Sequence, residues 1–144
     1  MDWKRIAIDD LKKYTQYQSA IVNIPAEIKT LEEQFDGLKS SGGSTPVKGG
    51  TSTYEDRIIN NIVKRDRLKL NLKIVRRRMA GIERGLKELT REEHTVLYYF
   101  YIDRPNHPID IIRGKLYLEQ SRIYQIKDAA LYKFTVSMYG IVDL

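Results

Sequence analysis

Near the C-terminus five side chains that could touch a nucleic acid follow one another closely: Gln120, Ser121, Arg122, Tyr124 and Gln125. A Gln amide carries a donor and an acceptor in one plane and matches the adenine edge. An Arg fork fits guanine or a phosphate, and Ser and Tyr hydroxyls bond backbone oxygens. Those residue types suit contacts in a DNA groove.

A second group is electrostatic. Lys64, Arg65, Arg67, Lys69, Lys73, Arg76, Arg77 and Arg78 accompany a single acid, Asp66. Two readings of this run stand side by side. Charges that point around most of a helix fit a solvated surface, while a subset, with Arg76, Arg77 and Arg78 as candidates, fits phosphate binding. The net charge of +6 favours a polyanionic partner. The excess is local, because residues 1–50 and residues 90–144 each carry seven basic and seven acidic side chains.

Other chemistry finds little support. His94 and His107 have no metal-ligand spacing, and there is no cysteine to hold zinc or form a disulfide. Asp9-Asp10 and Glu32-Glu33 are adjacent on helices, so each pair splits across faces. The chain has no nucleophile elbow, no HExxH pair and no glycine-rich phosphate loop after a strand. The expectation is a non-enzyme with no cofactor, no metal and no small-molecule substrate. Tyr98, Tyr99, Phe100 and Tyr101 have faces on which bases could stack, but their place inside a helix favours core packing.

These residues need helices to position them. Tyr14, Tyr17, Ile21, Ile24, Ile28, Leu31, Phe35 and Leu38 alternate spacings of three and four, a coiled-coil seam. Pro25 lacks the amide proton for the helical ladder, so a bend is expected there with the seam keeping register. Residues 40–53, SSGGSTPVKGGTST, hold too little apolar surface to offset ordering entropy and are expected to form a flexible loop. A second seam follows through Ile58, Asn61, Arg65, Leu68, Leu72, Val75, Met79, Ile82, Leu86 and Leu89. Two seams of similar length joined by a loop predict an antiparallel helical hairpin over 1–89.

Thr90-Arg91-Glu92-Glu93 is a capping box and opens a second region, 90–144. A helix through Val96, Leu97, Phe100 and Tyr101 should stop before Pro105. Pro108 introduces a short helix through Lys115, and a last helix runs through Ile123, Ile126, Ala130, Leu131 and Phe134 to a cap at Gly140. The fold class is all-α, a long hairpin followed by a small helix-turn-helix bundle. Within it Ile112, Leu116, Leu118, Ile123 and Ile126 supply the internal contacts, leaving Gln120, Ser121, Arg122, Tyr124 and Gln125 outward. Two positions depart from the usual pattern: Arg113 stands where a small residue is common, and Tyr117 where the turn glycine is common.

LTREEHTVLYYFYI followed by YLEQSRIYQIKDAAL resembles region four of bacterial sigma factors, which joins an LT-x-x-E-x-x-VL helix to a helix-turn-helix ending in an AL dipeptide. Across most of its length the chain resembles the ArpU and RinA-like regulators of Gram-positive phages. The resemblance implies control of late-gene transcription through double-stranded DNA, with RNA polymerase as a further partner. It implies DNA contacts at Gln120, Ser121, Arg122, Tyr124 and Gln125.

Rival readings are a small-terminase-like DNA-packaging protein that forms a homo-oligomer through its hairpin, and a coiled-coil adaptor that binds other proteins. The charged residues Asp2, Lys4, Arg5, Asp9, Asp10, Lys12 and Lys13 among the first twenty positions fit no signal peptide. The longest apolar run, Val96 to Ile102, is too short to span a bilayer. The expected location is the cytoplasm of a bacterial host, with no membrane partner.

Overall fold

A computed structural model describes residues 1–41 and 53–142. Among the described residues the fold is all-α, as the hydrophobic periodicity requires. Helix α1 spans Trp3–Ser41 and helix α2 spans Tyr54–Lys87. Three shorter helices follow: α3 (Arg91–Leu97), which widens into a π turn over Tyr98–Ile102, then α4 (Pro108–Leu116) and α5 (Gln120–Tyr139).

Most of the expected loop, residues 42–52, lies outside the described residues. At its two ends Ser40 and Ser41 continue α1, and Thr53 caps α2. The Asp56 amide donates to Thr53 Oγ1 at 3.1 Å, and the Thr53 amide donates back to Asp56 Oδ2 at 3.4 Å. This reciprocal pair satisfies two of the amides that a helix start leaves free.

Helix α1 continues through Pro25 without a break. The seam holds its register on both sides, with Ile21 and Ile24 half-buried before the proline and Ile28 and Leu31 buried after it. A proline costs the ladder one bond, and the packed apolar stripe outweighs that loss.

The chain packs as two compact units. One comprises residues 19–76, an antiparallel helix pair in which Leu31 meets Asn61 and Glu27 meets Lys64. Ile28, Leu31 and Leu72 are its most buried apolar side chains. The two polar seam positions each make one contact across the pair. Asn61 is buried and donates through Nδ2 to the Leu31 carbonyl at 2.8 Å. Arg65 lays its guanidinium 4.5 Å from the centre of the Phe35 ring, a cation–π contact.

The other unit joins residues 1–18 to residues 77–144. The packing therefore does not divide at the expected 89/90 boundary, because the ends of both long helices share a core with α3 and α5. Ala7, Leu11, Ile82, Leu86, Leu97, Ile102, Ala130, Leu131 and Phe134 form that core. Ala7 and Leu11 of α1 and Ile82 and Leu86 of α2 supply one side of it. Gly85 permits the close approach: a Cβ there would lie 2.8 Å from Cε2 of Phe134.

The Thr90 capping box is present in full, with Glu93 N to Thr90 Oγ1 at 3.2 Å and Thr90 N to Glu93 Oε1 at 3.0 Å. After Leu97 the helix takes an extra residue per turn instead of continuing as α. The π turn closes with the Asp103 amide donating to the Tyr98 carbonyl at 2.8 Å. It buries Ile102 and half-buries Tyr99, Phe100 and Tyr101, the core role expected of those three aromatics. Tyr98 stays exposed. Gly140 ends α5 in the left-handed conformation, φ 75°.

Candidate nucleic-acid interface

The candidate residues sit on α4, α5 and the turn between them. Ile112 on α4 and Ile123 on α5 are fully buried, and together with Val96 and Ile126 they form a second small core. Leu116 and Leu118 pack against it from either side of the turn. Every internal position assigned from the sequence to the helix-turn-helix is filled as expected.

Three residues, Tyr117, Leu118 and Glu119, separate α4 from α5, the turn length of this motif. The turn needs a left-handed residue, and Tyr117 supplies it at φ 55° and ψ 40°, its amide donating to the Arg113 carbonyl at 2.9 Å. A non-glycine in this region costs about 1 kcal/mol. The Tyr117 side chain is 89% exposed, so nothing crowds it. Arg113 is exposed as well. Both departures from the usual pattern are thus absorbed without displacing the core.

Gln120, Ser121, Arg122 and Gln125 are all exposed on the first two turns of α5. Arg122 Nη1 donates to Gln125 Oε1 at 3.3 Å, which holds two of these side chains in one orientation. Tyr124 sits differently. Its ring centre is 6.1 Å from that of Phe100, and Lys127 Nζ lies about 5 Å from both rings. Tyr124 is therefore partly committed to its own helix face, with 39% of its surface left exposed.

A shallow groove of about 390 Å³ lies between α3 with its π turn and the end of α4, lined by Arg91, His94, Thr95, Tyr98, Tyr99, Lys115 and Leu116. It brings two cations, Arg91 and Lys115, to one place. Sequence reasoning missed them as a pair: they are 24 positions apart, and no spacing rule joins them.

The basic triplet of α2 lies elsewhere. Arg77 and Arg78 line a groove of about 670 Å³ with Arg84, Gly81, Gly85, Glu88 and the last residues of α5, Ser137, Met138 and Tyr139. Arg76 is exposed but does not line it. Arg84 was also missed, although it follows Arg77 by seven residues and so shares its helix face. Arg122 and Met138 are 16 residues apart on α5, roughly 24 Å at 1.5 Å per residue. The structure therefore places the polar face of α5 and the arginine groove at opposite ends of one helix, not in one site.

Two polar contacts tie α5 to its neighbours, Lys133 to Glu93 of α3 and Tyr139 to Asp10 of α1. Burial pushes the Glu93 carboxyl up, but the Lys133 ammonium at 2.8 Å and the Thr90 amide and hydroxyl outweigh it and hold Glu93 below its ordinary value. Burial first, then a hydrogen bond and charge from Asp10, push the Tyr139 phenol well above its ordinary value. Among the described residues no helix is long and apolar enough to cross a membrane, and no three His, Cys, Asp or Glu side chains come together as a metal site.

Set against protein-family models, curated proteins and solved structures, the chain matches none of them.

Proposed function

We propose that the chain is a DNA-binding protein that reads duplex DNA with the N-terminal half of α5. In this reading Gln120, Arg122 and Gln125 meet base edges in the major groove, Ser121 and the exposed edge of Tyr124 meet the backbone, and Arg91 and Lys115 hold a neighbouring phosphate. Arg77, Arg78 and Arg84 form a separate phosphate-holding groove.

The observation that carries this reading is the α4–turn–α5 unit. It combines a three-residue turn with a left-handed Tyr117, a closed core of Ile112, Ile123 and Ile126, and an outward face of donors and acceptors. The resemblance to ArpU and RinA-like regulators adds the biological role: a phage or prophage regulator of late genes in the bacterial cytoplasm, with RNA polymerase as a further partner.

The test is fluorescence anisotropy across a salt series, using the duplex that flanks the protein's own gene and a scrambled duplex of equal length. The expected outcome is tighter binding to the flanking duplex at every salt concentration, with affinity falling steeply as salt rises. Absence of binding to either duplex at low salt would overturn the proposal in favour of a protein-binding adaptor.

A further inference from the structure

Helix α2 carries a second apolar stripe. Ile59, Val63, Leu70 and Ile74 recur on the side of the helix opposite its seam, with Ile62 at the edge, as 100° per residue places them. Ile59 is 57% and Leu70 58% exposed, and the other three are also exposed. Among the described residues of 19–76, no other part gathers exposed large apolar side chains in this way; Val22 on α1 stands alone. Exposed apolar side chains gathered on one face mark a surface where soluble proteins make contacts.

The stripe reads the same in both directions about a point between Asp66 and Arg67. Outward from that point come Asp66 and Arg67, then Val63 and Leu70, then Ile59 and Ile74. Asp66 is the only acid between Asp56 and Glu83. It sits at the centre of the palindrome with its mirror position occupied by a cation. Both side chains are exposed, and among the described residues neither forms an ion pair.

We propose that α2 docks antiparallel on α2 of a second copy of this chain, across a two-fold axis at the Asp66–Arg67 midpoint. An isologous contact needs a self-complementary patch, and this one sets apolar against apolar and acid against base. Ile59 meets Ile74 of the second copy, Val63 meets Leu70, and Asp66 meets Arg67, each pair occurring twice. A partner with a merely apolar face would leave Asp66 without a counter-charge. A standard interface uses roughly 20–30 residues a side, so this shorter one yields a dimer that dissociates on dilution. The inference does not depend on the DNA reading.

Sedimentation equilibrium of the full chain over a concentration series tests it. Wild type is expected to move from monomer to dimer, and Leu70→Asp to remain monomeric with unchanged helical circular dichroism. Asp66→Arg sets arginine against arginine and is expected to weaken the dimer by about tenfold or more. The exchange Asp66→Arg with Arg67→Asp restores the pairing and is expected to recover most of that loss. A wild type that stays monomeric at high concentration overturns the proposal. So does a trimer or larger ring, a dimer indifferent to Leu70→Asp, or a charge exchange that folds but recovers nothing.

Discussion

Asn61 reaches across the helix pair to the Leu31 carbonyl, 2.8 Å away, while its own Oδ1 is buried with no hydrogen-bond partner among the described residues. The Leu31 carbonyl lies inside α1 and already serves the helical ladder, so the cross-helix bond is a second one. A buried polar atom left unmatched costs about 1–3 kcal/mol, more than one such bond returns. Asn61→Leu is therefore expected to raise stability by about 1 kcal/mol, measured as a higher urea midpoint with unchanged slope. Asn61→Asp places an unpaired charge there and is expected to destabilise. A stabilising Asp variant would show that the position is wet.

What the sequence makes legible is periodicity. Every residue assigned to the two seams is buried or half-buried, including Asn61 and Arg65, whose polarity argued against them. Extending the alternation toward the N-terminus reaches the fully buried Ala7 but lands on Asp10 and misses the fully buried Leu11 beside it. Less legible is whatever depends on two elements meeting. The end of α2 closes on Phe134 at Gly85, the start of α1 joins the same core through Ala7 and Leu11, and no local pattern announces either. The π turn is likewise invisible in YYFYI, since its extra residue is fixed by which side chains the core accepts. Tyr117 shows the converse: residue preference argues against a left-handed turn there, and the buried residues on both sides impose one.

Gly85→Ala tests the close approach. The added methyl would stand 2.8 Å from one carbon of Phe134 and 3.1 Å from the Met138 sulfur. Met138 can yield, but the fully buried Phe134 ring cannot. Overpacking of this kind costs about 1–3 kcal/mol, against a helix-propensity gain of up to about 1 kcal/mol for Ala over Gly. Net destabilisation in urea unfolding is expected. A more stable variant would mean that α5 stands farther from α2 than described.

Tyr139 and Asp10 are hydrogen-bonded, and the Tyr139 phenol is held above its ordinary value. A raised folded pKa contributes stability that is complete below the unfolded value near 10 and is lost as pH rises through the folded value. Tyr139→Phe is expected to cost about 1 kcal/mol at pH 7–9 by removing the bond. Above pH 10 the gap between wild type and variant should change, because only the wild type has this proton to lose. Between the unfolded and folded values the unfolded wild type ionises first, so the gap narrows there. Tyr14 and Tyr101 are also shifted upward, but both remain in the variant and cancel in the comparison. A gap that stays constant well above pH 10 would mean that Tyr139 titrates normally.

The separation of the two basic regions along α5 turns the DNA reading into a comparison. Arg122 is bonded to Gln125 at 3.3 Å on the outward face, so Arg122→Ala is expected to remove about 1–3 kcal/mol of specific binding and relax preference at one base step. Arg77, Arg78 and Arg84 line a groove at the far end of the same helix. Replacing all three with Ala should weaken binding to every sequence alike and reduce the salt slope by about one unit for each phosphate no longer neutralised. Arg76→Ala is the internal control: the residue is adjacent in sequence but does not line the groove, and its effect should be smaller than that of Arg77→Ala. Anisotropy titrations at several salt concentrations with both duplexes distinguish the outcomes. Equal losses on specific and scrambled duplex from Arg122→Ala would remove α5 as the reading helix. Unchanged salt slope in the triple variant would leave the arginine groove a solvated surface.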